Sequence, residues 1–223
     1  MRRLLMATAL LLAAGAAAEA GSCKDEVASA LERQRKSSGF RMQTKMITEQ
    51  GLVDMTVDYV LPDRMRQVIK STTDPEPVET VLVGNQAWSR RQDGPWVPLN
   101  PKLTSDLVTQ LEENLGDEPI ALGEFACLGK KPLNGKDMLA YQGENNPGGD
   151  NPNEEKPPKT PDRPVRVIYV DSTTGLPARS IFARANKLDK PIFEANYTYP
   201  VDLAIEAPKV IPAPPPGTVT KAK

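Results

Sequence analysis

The chain has 223 residues, with 28 Lys and Arg against 29 Asp and Glu, a net charge of −1 and no histidine. With 39% hydrophobic and 26% charged residues, this length fits one folded domain with a real core rather than a disordered or membrane-embedded chain. The balanced charge offers no basic field to attract nucleic acid. The lack of His excludes Ser-His-Asp and Cys-His catalysis, His-ligated zinc and the usual base near neutral pH.

Met1-Arg2-Arg3 is a short basic start, residues 4–18 are almost all Leu, Ala and Met, and Ala18-Glu19-Ala20 places small residues where a signal peptidase reads. This is the three-part pattern of a cleaved secretory signal over residues 1–20. It is too short for a comfortable membrane span, and no later stretch reads as one. The sequence therefore predicts a periplasmic protein that is not an integral membrane protein. Cys23 and Cys127 are its two cysteines, and three states compete for them. An oxidising compartment favours one disulfide. Lipidation of Cys23 would call for a large apolar residue three positions earlier, where Ala20 stands. Two free thiols are the third state.

Residues 24–36 read as a helix, with Val27, Ala30 and Leu31 on one face, stopped by Ser37-Ser38-Gly39. The period then changes to two. Phe40, Met42 and Met46 alternate with Arg41, Gln43 and Lys45; after a turn at 49–51, Val53, Met55, Val57 and Tyr59 alternate with Asp54, Thr56 and Asp58. The pattern predicts strands with one apolar face and one face in water. Pro62 ends the second strand, and 65–71 is a third, with Met65, Gln67 and Ile69 on one side. Residues 79–83 and 86–90 form a hairpin across Gly84-Asn85, and Asp93-Gly94 turns the chain before Trp96-Val97. Asn100-Pro101 is a strong helix start, followed by Leu103, Leu107, Val108, Leu111 and Leu115 on one face, with Gly116 as the stop.

Residues 120–128 are weakly apolar, and 137–143 look like a strand. Residues 143–164, rich in Asn, Pro, Gly, Lys and Glu, have almost nothing to bury and read as a low-complexity loop without the ligand spacing of a calcium loop. Strand patterns resume at 165–169, with Val165, Val167 and Tyr169 alternating with Arg166 and Ile168, and continue at 177–184 and 191–199. The Pro-rich stretch 207–223 reads as a disordered tail, so the domain is expected to span 21–206.

This order of elements resembles the periplasmic lipoprotein-carrier (LolA/LolB-like) superfamily, which includes mycobacterial lipid-binding lipoproteins and the sensor domain of an anti-sigma-factor regulator. The resemblance rests on Thr56 to Arg66, a strand, then Pro62, then a strand opening with basic and apolar residues. It rests also on the Val81 to Trp88 hairpin, on Asp93-Gly94-Pro95-Trp96, and on Arg166 to Ala178, where an apolar strand is followed by a turn and Gly-Leu-Pro. Lipoprotein chaperones of the superfamily carry an Arg just before that Pro, whereas this chain has Leu61. The resemblance implies lipid binding rather than full chaperone activity. It also implies an α+β, mainly β fold: a half-barrel whose concave apolar face is covered by helices and holds acyl chains.

On this reading the residues expected to line a lipid cavity are Met42, Met46, Val53, Met55, Val57, Tyr59, Met65 and Ile69 on strands and Leu107 and Leu111 on the second helix, with Trp88 and Trp96 at its mouth. Methionines adapt to ligands of varied shape, although the same residues also suit an ordinary core. Arg64, Arg66, Arg90 and Arg91 are candidates for an anionic head group or for a solvated face. The expected function is a non-enzymatic carrier or binder of lipid or lipoprotein acyl chains, with no cofactor or metal. The alternative is an envelope sensor or protein-interaction module with the same fold and a filled interior. An enzyme using paired carboxylates is the third hypothesis, but Glu112-Glu113 and Glu154-Glu155 are adjacent in sequence and make no convincing acid pair.

Overall fold

Ser22 opens the first helix by accepting a hydrogen bond from the Asp25 backbone N–H at 3.2 Å, and α1 runs Cys23–Arg35. In the computed structural model, which describes residues 22–49, 51–115, 123–144 and 162–210, the alternating segments that follow become a continuous antiparallel meander. These are β1 (Gly39–Thr48), β2 (Gly51–Val60), β3 (Arg64–Ser71), β4 (Val78–Val83), β5 (Gln86–Arg91) and the short β6 (Val97–Pro98). The second helix, α2 (Pro101–Leu115), follows with Asn100 as its cap, the Asn100 Oδ1 accepting from the Leu103 N–H at 2.9 Å. A second meander completes the fold: β7 (Phe125–Leu133), β8 (Lys136–Glu144), β9 (Pro164–Asp171), β10 (Pro177–Arg184) and β11 (Phe193–Thr198).

The described strands make one open, curved sheet in the order β6-β5-β4-β3-β2-β1-β11-β10-β9-β8-β7. The two meanders join where β1 meets β11, with Met42 opposite Tyr197 and Thr44 opposite Ala195. Directly opposed residues share a face, so the register assigns faces across the whole sheet. Ser180, Ala195, Thr44, Met55 and Ile69 lie in one row, and Tyr197, Met42, Val57 and Gln67 in the next. Both helices cover this face. Leu111 of α2 packs with Phe40, Val57, Tyr59, Met65 and Leu82, while Val27 and Ala30 of α1 pack with Tyr141, Ile168 and Val170. Gly39 is required where β1 enters the sheet, because a Cβ there would lie 2.4 Å from the Tyr59 carbonyl oxygen.

Four sequence expectations change. The first is that the far face of the sheet is not simply in water. Residues 200–210 cross it as a strap, burying Ile205 against Val81 and Trp88, and the Arg64 guanidinium donates to the Ile205 carbonyl at 2.8 Å. The second is β7, where only a weakly apolar stretch was expected. It is an edge strand with Lys130, Lys131 and Pro132 exposed, the kind of strand that carries no apolar alternation because charge and proline protect it from pairing further. The third is Leu103, expected on the apolar stripe of α2 but 47% exposed. The fourth is the low-complexity loop, which is shorter than 143–164 because Gly143 ends inside β8 and Pro164 begins β9. Its remainder at 145–161, the signal segment 1–20, Gly116 and the tail beyond 210 lie outside the described residues.

Cys23 and Cys127 form a disulfide, with Cα atoms 5.5 Å apart, that fastens the first residue of α1 to β7. Of the three states open from the sequence, the bonded one is present.

Candidate functional site

The gap between the helices and the sheet is not completely filled. A cavity of 560 Å³ lies there, within the roughly 300–1,000 Å³ range of small-ligand pockets. Its floor is the row-by-row consequence of the strand register: Phe40 and Met42 from β1, Met55, Val57 and Tyr59 from β2, and Met65 and Gln67 from β3. Leu31, Gln34 and Arg35 of α1 form one wall, and Gln110, Leu111 and Leu115 of α2 the other. The far end is made by the second meander, with Arg166, Ser180, Phe182, Phe193 and Tyr197.

Met42, Met55, Val57, Tyr59, Met65 and Leu111, all expected from the sequence, are thus brought together around one cavity. Met46, Val53 and Ile69 share the helix-covered face but sit further along the strands, toward the β1–β2 hairpin, away from the cavity lining. Leu107 packs against the core cluster of Phe40 and Leu82 instead of the cavity. Trp88 and Trp96 do not close the cavity. Trp88 is opposite Val81, in the row of Arg66 and Asp58, and packs with Trp96 under Ile205 on the other face of the sheet. A period of two gives each residue's face only relative to its neighbours, and in β5 the aromatic took the face that α2 does not cover. Trp88 also borders a separate concavity of 550 Å³ between β5 and the start of α2, with Leu99, Pro101 and Val108.

The other candidate arginines are engaged elsewhere. Arg66 and Arg90 both donate to the buried Glu79 carboxylate, at 2.5 and 2.7 Å, Arg90 also lies over the Trp96 ring, and Arg91 donates to Asp74 at 2.6 Å. Asp58, also buried, receives a two-pronged contact from Arg41 at 2.6 and 3.0 Å. Both buried carboxylates are therefore neutralised by guanidinium groups on the face away from the cavity. Glu112 and Glu113 are exposed on α2, and Glu154-Glu155 lies outside the described residues.

Residues not singled out from the sequence complete the site, Arg166 above all. Residues 165–170 read Val-Arg-Val-Ile-Tyr-Val, and both parities are buried: Ile168 and Val170 under α1, Val165 and Val167 with Ile181 and Ala183 on the other face. A run that is apolar at both parities marks a strand covered on both sides. That signal does not choose a face for Arg166; the register does, pairing it with Phe182 in the parity of Ser180 and Ile168, on the helix-covered face. The tyrosines of the region stay protonated. Burial pushes Tyr59 up to about 12 and also raises Tyr197 and Tyr199. Tyr199 accepts from Gln34 Nε2 at 3.1 Å and donates to the Pro177 carbonyl at 2.8 Å, which docks the end of α1 on the sheet. Among the described residues no group of three or more Cys, Asp or Glu could hold a metal ion, and no helix is long and apolar enough to cross a membrane.

This architecture recurs in solved structures. It is similar to the lipoprotein LppX of Mycobacterium tuberculosis, with a TM-score of 0.51 at 11% identity over 82% of this chain and 98% of that one. The LolA-like fold expected from the sequence is present. It is equally similar to LprF from Mycobacterium bovis, with a TM-score of 0.51 at 13% identity over 86% of this chain and 96% of that one. No family sequence model matches the chain, and no curated protein matches it at the level of sequence. The likeness is thus one of fold, in the arrangement of sheet and helices.

Proposed function

We propose that this protein is a non-enzymatic carrier of lipid or lipoprotein acyl chains, exported to the periplasm through a signal at residues 1–20. The observation that carries the reading is the cavity itself: 560 Å³ of space between sheet and helices on a floor of Met42, Met55, Val57 and Met65. The apolar floor of a cavity of this size is costly in a protein with no ligand, because those side chains forgo packing contacts. An acyl chain restores those contacts and gains about 0.8 kcal/mol for each methylene withdrawn from water, less the cost of ordering the chain. The Cys23–Cys127 disulfide suits an oxidising compartment.

Native mass spectrometry after gentle purification, followed by titration with a fluorescent fatty acid, tests the proposal. Val57 is 1% exposed and lines the floor, so Val57→Trp should fill the cavity and abolish binding while the protein remains folded. Wild-type protein that carries no lipid and binds no acyl probe, together with a Val57→Trp variant that simply unfolds, would mark the interior as a filled core and end the carrier reading.

A further inference from the structure

The cavity lining is electrically one-sided. Among the described residues it includes two guanidinium side chains, Arg35 and Arg166, and no Asp or Glu. Arg166 is the more telling, because it lies on β9 under the helix layer while Arg35 is at the end of α1. Its cross-strand neighbours are Phe182 on one side and Gly143 on the other, neither of which can balance its charge. Its one hydrogen bond among the described residues is to a neutral group, Nε donating to Ser180 Oγ at a long 3.3 Å. The contrast with the other face is sharp: there Arg41, Arg66 and Arg90 each meet a buried carboxylate. A cation facing an apolar space without a counter-ion is costly, and a guanidinium offers several N–H donors in a planar fork. Two neutral hydroxyls line the same end, those of Ser180 and Tyr197. Tyr197 feels the Arg166 charge, which opposes the upward push of burial on its phenol.

We propose that the cavity takes a single-chain anionic amphiphile, a carboxylate or a phosphate monoester, with its head on Arg166 and its chain along the methionine floor beneath α2. This rests on the carrier reading and names the ligand class. The two ends of the cavity fit the two ends of such a molecule. Arg166, Ser180 and Tyr197 supply charge and hydroxyls at one end, and Met55, Met65 and Leu111 supply deformable apolar surface at the other. The volume is enough for one chain rather than a bulky multi-chain lipid.

The test is competition against a neutral fluorescent probe, N-phenylnaphthylamine, by palmitate, hexadecyl phosphate and methyl palmitate. The three share a chain and differ in the head. The wild-type protein should bind one or both anions about tenfold or more tightly than the ester, as expected for a charged hydrogen bond in a partly desolvated site. Whichever anion is preferred identifies the head group. Arg166→Gln should remove that preference while leaving ester binding in place, and Arg166→Lys should keep part of it. The acid-to-ester ratio of the wild-type protein is decisive even if Arg166→Gln does not fold. Equal binding of anions and ester would overturn this inference and leave the carrier reading standing. Binding of none of the three would overturn both.

Discussion

The two meanders bury their shared face in different ways. In the second, α1 is fastened at both ends: at its start by the Cys23–Cys127 disulfide, along its length by Tyr141 donating to Glu26, and at its end by Gln34 donating to Tyr199. Beneath it Val27, Ala30, Ile168 and Val170 close a filled cluster, and the other face of β9 and β10 is buried as well. In the first meander, α2 presents a leucine stripe of which Leu111 is buried and Leu103 is out in solvent, and the cavity opens beside Leu111. The fold thus has a half clamped over a filled cluster, whose inner edge forms one wall and the far end of the cavity, and a half whose helix leaves room. A helix that must admit a ligand gains from resting on an apolar stripe, because such contacts can be rearranged without leaving polar groups unpaired. A helix that sets the position of the cavity wall gains from covalent and hydrogen-bonded fixation.

The largest expected effect is on the clamp. The disulfide closes a loop with a sequence separation of 104 residues. For a loop of that length the chain-entropy model gives about 4–5 kcal/mol of stabilisation through restriction of the unfolded state. Replacing Cys23 and Cys127 together by Ser should therefore lower the unfolding free energy in urea by several kcal/mol. A loss below about 1 kcal/mol would show that the clamped half owes its order to packing alone.

The next effect separates the halves. Leu111→Ala and Ile168→Ala each delete a buried aliphatic side chain, and each should cost about 2–4 kcal/mol. Their consequences for a ligand should differ. Leu111 borders the cavity, so its truncation enlarges the space and should change acyl-probe affinity beyond what the stability loss accounts for. Ile168 lies beneath α1, away from the cavity, and its truncation should leave affinity unchanged in the folded protein. Equal effects on binding would erase the distinction between a filled and an open half.

The same asymmetry governs what could be read in advance. Strands β1 to β5 and both helices were legible because one face is polar in sequence and the other apolar, as in Val53 to Tyr59, and because Asn100-Pro101 and Gly84-Asn85 have strong local preferences. The half with both faces buried was legible as strands but not by face. Arg166 stands among apolar residues of both parities, and no local pattern says which side the helices take. Trp88 failed for a related reason: its burial is supplied by the strap carrying Ile205, more than a hundred positions later. Covalent pairing of Cys23 with Cys127 was favoured over lipidation and free thiols by compartment and cysteine count, whereas the partners of Arg41 and Arg66 depended on strand register.

The smallest effect sharpens the comparison through pH. Tyr59 is buried in the open half, between Phe40 and the α2 stripe, with ring centroids of Phe40 and Tyr59 4.8 Å apart. Burial raises its phenol from the ordinary 10 to about 12. In the unfolded chain this phenol loses its proton near its ordinary value, while in the folded protein it holds the proton for about two units more. The folded state therefore binds more protons in that interval, and stability must fall as pH rises through it. The contribution is fully present below about pH 10 and lost progressively above it, amounting to about 2–3 kcal/mol if the whole shift is realised. Tyr59→Phe removes the titration while keeping the ring against Phe40. Urea unfolding at about pH 9 and about pH 11 should show a smaller alkaline loss in the variant than in the wild type. An identical loss would mean that the phenol is already reached by water through the cavity, so that the open half is wetter than its methionine floor implies.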